Sequence, residues 1–217
     1  MDTVNLRTAI ADALDHERRT SELVYLLHGR LHKLHGNIHI SGQDPVSSLV
    51  DFVSDYVQRL PDILDALREI GALQGTEEEA ETTIDHCIDL FARPPRLVIG
   101  HHGLNGAMNT AYMAHRLLEE VNDHHMVSRG KLLAPLDITR SNLIIHQLIG
   151  ESYANQLDEA VHLIATNVIN RWRDSQWAAR PDRSPRLAEM LSRWPCLRDR
   201  LGNDPLHLPS YNAISIH

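Results

Sequence analysis

Between Asp44 and Gly75 apolar side chains recur every three or four residues, at Val46, Leu49, Val50, Val53, Val57, Leu60, Leu64, Leu67 and Ile70. At about 100° per residue these positions fall on one stripe of a helix, and a stripe of that length has to be buried against other elements. The same period returns along most of the chain. Strict alternation, the mark of a half-buried strand, is confined to 37–41 and 213–217, which are expected at most to pair as a small ribbon pinning the C-terminus. No repeat at solenoid periods is present. The 217 residues suit one domain, and a chain of this size buries about 70% of its unfolded surface without disulfides or a structural metal. Its two cysteines make neither a metal pair nor a disulfide framework. The expectation is an all-α, single-domain bundle of five or six helices over residues 1–217.

The predicted core helices span about 3–35, 45–72, 77–92, 99–122 and 138–172, followed by a basic C-terminal extension over 173–217. Within that extension Ser184-Pro185 opens a short last helix that closes near Pro195. Gly36 supplies the stop of the first helix. Asp44-Pro45 starts the second, with aspartate as N-cap and proline at the first position, where its missing N–H costs nothing. Pro61 is expected to kink or split that helix. Thr76 and Glu79 have the spacing of a capping box at the start of the third. Cys87 lies on the apolar stripe of that helix, the place of a buried, inert thiol.

Charge is segregated along the chain. The net charge is −8, yet 171–200 carries eight arginines against four acidic residues, whereas 1–170 carries 24 acidic and 13 basic groups. An acidic body repels nucleic acid and anionic membrane surfaces, while a basic end can dock on that body or on a second copy of it. Aromatics make up only 5%, too few for the stacking platforms that hold single-stranded nucleic acid. No apolar run approaches the roughly 18 residues of a membrane span. The first residues lack the basic and apolar regions of a secretory signal, so a cytoplasmic location is expected.

Histidine appears 15 times, and several copies lie on or beside apolar helix faces. His28, His32 and His35 form a line at i, i+4, i+7. The His28-x-x-x-His32 spacing lets two imidazoles on one helix share a metal, although Gly29 stands where a zinc-protease signature has glutamate. His115 sits at the edge of the fourth helix's apolar face, one turn before Glu119, which could accept its ring N–H or share a ligand with it. His146 falls within the apolar face of the fifth helix. Convergence of His28, His32, His115, Glu119 and His146 in one core would build a site for a divalent transition metal such as Fe or Zn, since facing helices of a bundle project such groups inward. On the fifth helix Glu151, Asn155, Asp158 and His162 form a polar stripe, and no Lys or Arg occurs from 141 to 170. Such a stripe is either a surface paired with arginines from elsewhere or the wall of an internal polar site. Glu159-x-x-His162 matches a di-iron half-motif, of which only one copy is present. The run Gly100-His101-His102-Gly103-Leu104-Asn105-Gly106 places glycine at every third position, and at about 1 kcal/mol per helical glycine some close approach of a helix or a ligand is needed to offset the cost.

No Walker loop, dinucleotide fingerprint, nucleophile elbow, Cys-x-x-Cys or EF-hand loop is present. Arg140 with His146, and Arg30 with His35, have spacings that resemble the loose R-x(4–6)-H pattern of HEPN-type helical ribonucleases. The resemblance implies that Arg140 holds a phosphate, that His146 moves a proton in attack by a 2′-hydroxyl, and that sites pair in a dimer. The acidic body speaks against an RNA substrate. The favoured expectation is an oligomeric interaction or assembly protein, a homo-oligomer or the partner of another protein, that docks through its basic C-terminal region bearing Trp172, Trp177 and Trp194. The alternative is the metal-binding bundle, with the ribonuclease as a remote third.

Overall fold

The computed structural model describes residues 2–34, 39–40, 44–174 and 206–207. The fold is all-α. Among the described residues the helices are α1 (Thr3–Thr20), α2 (Glu22–Arg30), α3 (Pro45–Gln74), α4 (Glu77–Ala92), α5 (Gly103–Arg129), α6 (Thr139–Ile149) and α7 (Glu151–Asp174). A 3₁₀ turn, Leu31–Lys33, follows α2. His39–Ile40 pairs antiparallel with Leu206–His207, so the first half of the expected ribbon forms with a partner upstream of 213–217. Residues 213–217 and the short helix expected at 185–195 lie outside the described residues.

Among the described residues seven helices stand where five core helices are expected, because two long ones are broken. The first predicted helix, 3–35, ends at Ser21, which takes a left-handed conformation with φ 51°. Its turn is stabilised from a distance. The buried Glu17 carboxylate accepts the N–H groups of Leu23 (2.9 and 3.1 Å) and Val24 (3.2 Å), capping α2 from the preceding helix. The predicted helix 138–172 breaks at Gly150, whose φ of 97° no L-residue adopts readily. Pro61, in contrast, splits nothing. α3 runs through it over 30 residues, and burial of Leu60, Ile63 and Leu64 on both sides offsets the lost hydrogen bond. Asp44 caps α3 as expected, its carboxylate accepting from Val46 and Ser47 at 3.1 Å. The capping box at Thr76 does not form: the Thr76 side chain makes no cap hydrogen bond. Glu79 instead turns its buried carboxylate toward Arg129, at 3.7 Å.

α5 is the central element. Cys87 of α4 meets the backbone of Ala114 and Glu79 meets Arg129, so α4 runs antiparallel to α5. Tyr112 meets Asp158, Glu120 meets His162 and His125 meets Trp172, so α7 runs beside α5 in the same direction. α6 returns between them, with Thr139 at Glu119 and His146 at Tyr112. The glycines at the start of α5 answer to packing. A Cβ at Gly103 would lie 2.3 Å from the His16 ring of α1, and one at Gly106 would lie 2.5 Å from the His101 carbonyl. No described helix is long and apolar enough to cross a membrane.

Candidate functional site

The polar groups of α5 through α7 form one connected network that begins at the surface and ends in the core. At its outer end His146 places Nε2 3.2 Å from Asn155 Oδ1 and 3.9 Å from Asp158 Oδ2. Asp158 accepts from the Tyr112 hydroxyl at 2.9 and 3.0 Å and from Arg116 Nε at 3.1 Å. Arg116 then turns its Nη1 to Glu119 Oε2, at 2.5 Å. Glu119 also accepts from Thr139 Oγ1 at 2.6 Å and Asn142 Nδ2 at 2.7 Å. Asn142 in turn accepts from the fully buried Tyr56 hydroxyl of α3 at 2.6 Å. Beyond Tyr56 lies His115, edge-on to the tyrosine ring with centroids 4.3 Å apart.

Sequence spacing explains why four helices can share this site. Tyr112, Arg116 and Glu119 stand at i, i+4 and i+7 of α5 and so project along one line. Asn142 and His146 are one turn apart on α6, as Asn155 and Asp158 nearly are on α7. The break at Gly150 is what folds α7 back and aims the latter pair at the former. Along the path the side chains of His146, Asp158 and Arg116 are 19%, 29% and 32% exposed, and exposure then drops to 10% at Glu119. Burial opposes the charge on Arg116, but its hydrogen bonds to Glu119 and Asp158 outweigh that and hold it protonated. Burial, and then Asp158, pushes the Tyr112 hydroxyl far above the usual tyrosine range. Burial does the same to Tyr56. Both tyrosines therefore act as fixed donors.

Three of the five residues singled out from the sequence belong to this region: Glu119 and His146 within the network and His115 against its inner end. His28 and His32 do not join it. Both are exposed, on α2 and the 3₁₀ turn, and His28 only supplements the Ser47 hydrogen bonds that lower the Asp44 carboxyl. The expected His115–Glu119 contact is also absent, because both Glu119 oxygens are taken by Arg116, Thr139 and Asn142 while neither ring nitrogen of His115 has a partner. Among the described residues no group of three or more His, Cys, Asp or Glu is placed to hold a metal ion. The polar stripe of α7 is instead bound to α5, Asp158 to Arg116 and His162 to Glu120.

Arg140 and His146 share α6, but at 100° per residue they sit about 120° apart around it. Trp172, grouped by sequence with the docking region, is buried beside His125, ring centroids 6.2 Å apart. Trp177, Trp194 and the arginines beyond Arg171 fall among residues whose placement or side chains are not described. Sequence reasoning missed Tyr56, Tyr112, Arg116, Thr139 and Asn142. The available signal was Arg116, with Tyr112 at i−4 and Glu119 at i+3 on one line of a helix otherwise rich in apolar residues.

Chemically the arrangement balances its negative charge with one arginine and a full set of hydrogen bonds. One guanidinium serves two carboxylates, every carboxylate oxygen accepts at least one hydrogen bond, and His146 is the ring that meets solvent. Such a satisfied network locks α3, α5, α6 and α7 into one register. Against family models, curated proteins and solved structures, the chain matches none.

Proposed function

We propose that this protein is an assembly protein that joins copies of itself, the Arg- and Trp-bearing C-terminal region of one copy docking on the acidic helical body of another. The observation that carries this reading is the acidic excess of the body, concentrated on α4 and α7. α4 has no Lys or Arg and turns Glu77, Glu78, Glu81, Asp85 and Asp89 outward. Within the body this ridge is met by Arg68 at Glu81 and Arg93 at Asp89. α7 likewise carries no Lys or Arg from 151 to 170. Eight arginines within 171–200 supply the complementary charge in the same chain. Charge complementarity of this kind steers encounter and fixes register, while arginine and tryptophan supply anchors. Exposed Met126, Val127 and Leu132 add apolar surface at the end of α5, where α7 also ends.

Sedimentation in low and high salt tests the reading. A mass above the 24.6 kDa of one chain is expected in dilute buffer, falling toward that of a monomer at about 1 M salt, where the Debye length is about 3 Å. A monomer at every salt concentration and at tens of micromolar protein overturns it.

A further inference from the structure

His115 is fully buried, and neither of its ring nitrogens has a hydrogen-bond partner. That is an uncommon position for an imidazole, since buried polar groups are nearly always satisfied. The titratable groups of the layer are all engaged elsewhere. On α3, Tyr56 presents its ring to His115 and donates its hydroxyl to Asn142. On α4, Cys87 meets the Ala114 carbonyl. On α5 itself, Arg116 is held by Glu119 and Asp158, and Tyr112 by Asp158. On α6, His146 faces Asn155 and Asp158, and Asp158 of α7 is already shared among its donors. The carboxylate nearest in sequence, Glu119, has both oxygens occupied. Among the described residues an imidazolium at this position would have no counter-ion in hydrogen-bond contact.

We propose that His115 is an acid-sensitive release in the bundle: the ring takes up a proton only when α3 and α5 part at the Tyr56–His115 contact, so mild acid shifts the balance toward opening there. Desolvation lowers the His115 pKa to about 3 in the closed form. An opened chain restores the ordinary value near 6.5, so the open form binds the extra proton between these limits. Stability contributed by the neutral ring is complete above about pH 6.5 and is lost as the pH falls below it.

Urea denaturation of the intact protein and of His115→Phe at pH 7.5 and pH 5 tests the proposal. From these pKa values, His115 alone should raise the unfolding equilibrium constant about 30-fold between the two pH values, and the phenylalanine variant should lack that increment. Ring nitrogen NMR of the unaltered protein is the companion measurement and stands even where the variant fails to fold. The His115 resonance should stay that of a neutral ring down to the pH at which the bundle opens. An equal pH response in parent and variant, or a His115 ring that takes up its proton within the folded protein near pH 6, overturns the proposal.

Discussion

Among the described residues α3 and α5 are the two longest helices, and they are built on opposite terms. Nearly everything α3 buries is apolar, from Val46 and Leu49 to Leu67 and Ile70, and its buried polar exception is the Tyr56 hydroxyl. α5 buries Asn105, Asn109, Thr110, His115, Glu119, Asn122 and His125 beside its leucines and methionines. The contrast separates two roles. An apolar stripe drives burial but tolerates many arrangements of equal volume. A chain of hydrogen bonds such as Arg116–Glu119–Asn142–Tyr56 accepts one arrangement, because each misplacement strands a buried donor or acceptor. α3 contributes the adhesion of this bundle, and α5 contributes its register.

Substitutions can break that comparison. The largest effect is expected on the α5 side. Glu119→Ala strands the buried Asn142 amide and leaves Arg116 to Asp158 alone, and should cost about 4 kcal/mol in urea denaturation, about 1–3 kcal/mol for the unsatisfied amide and about as much for the lost charge-assisted bond. A loss under 1 kcal/mol would mean that the network is ornamental. On α3, Leu60→Ala removes a fully buried side chain and should cost about 3 kcal/mol by the same measurement. The two variants should also differ in kind: the Leu60 variant keeps sharp amide resonances for α6, whereas the Glu119 variant broadens them. Tyr56→Phe, which joins the two helices, is the mildest. It keeps the ring against His115 and deletes one hydrogen bond, so about 1–2 kcal/mol is expected, with the heaviest loss of amide protection around Asn142.

The contrast also explains what could be read from the residues. The apolar period of α3 was legible from end to end, and so was its Asp44 cap, because both depend on neighbours in sequence. Cys87 was placed in the core by the same logic. The breaks at Ser21 and Gly150 were hidden for different reasons. Ser21 is held by a carboxylate four residues upstream that caps the next helix, and nothing in its local composition marks a left-handed turn. Gly150 stands in an unbroken run of helix-spaced apolar residues, where one glycine costs only about 1 kcal/mol and is commonly absorbed. Missing that break put His146 and Asp158 on one helix, when they face each other across two. His146, Glu119 and the neighbourhood of His115 were found because polar residues beside apolar faces are conspicuous. Their partners were not, since an i, i+4, i+7 line on α5 acquires its meaning only once α6 and α7 have folded over it.

The contact between Cys87 and the Ala114 carbonyl has a practical consequence. The thiol is enclosed, and burial pushes its pKa far above the ordinary cysteine range, so no thiolate is available while α4 lies on α5. Chemical labelling at this position therefore proceeds only through moments when the two helices separate. With a reagent in excess, its rate counts those moments directly, making Cys87 a native clock for the breathing of the bundle beside His115.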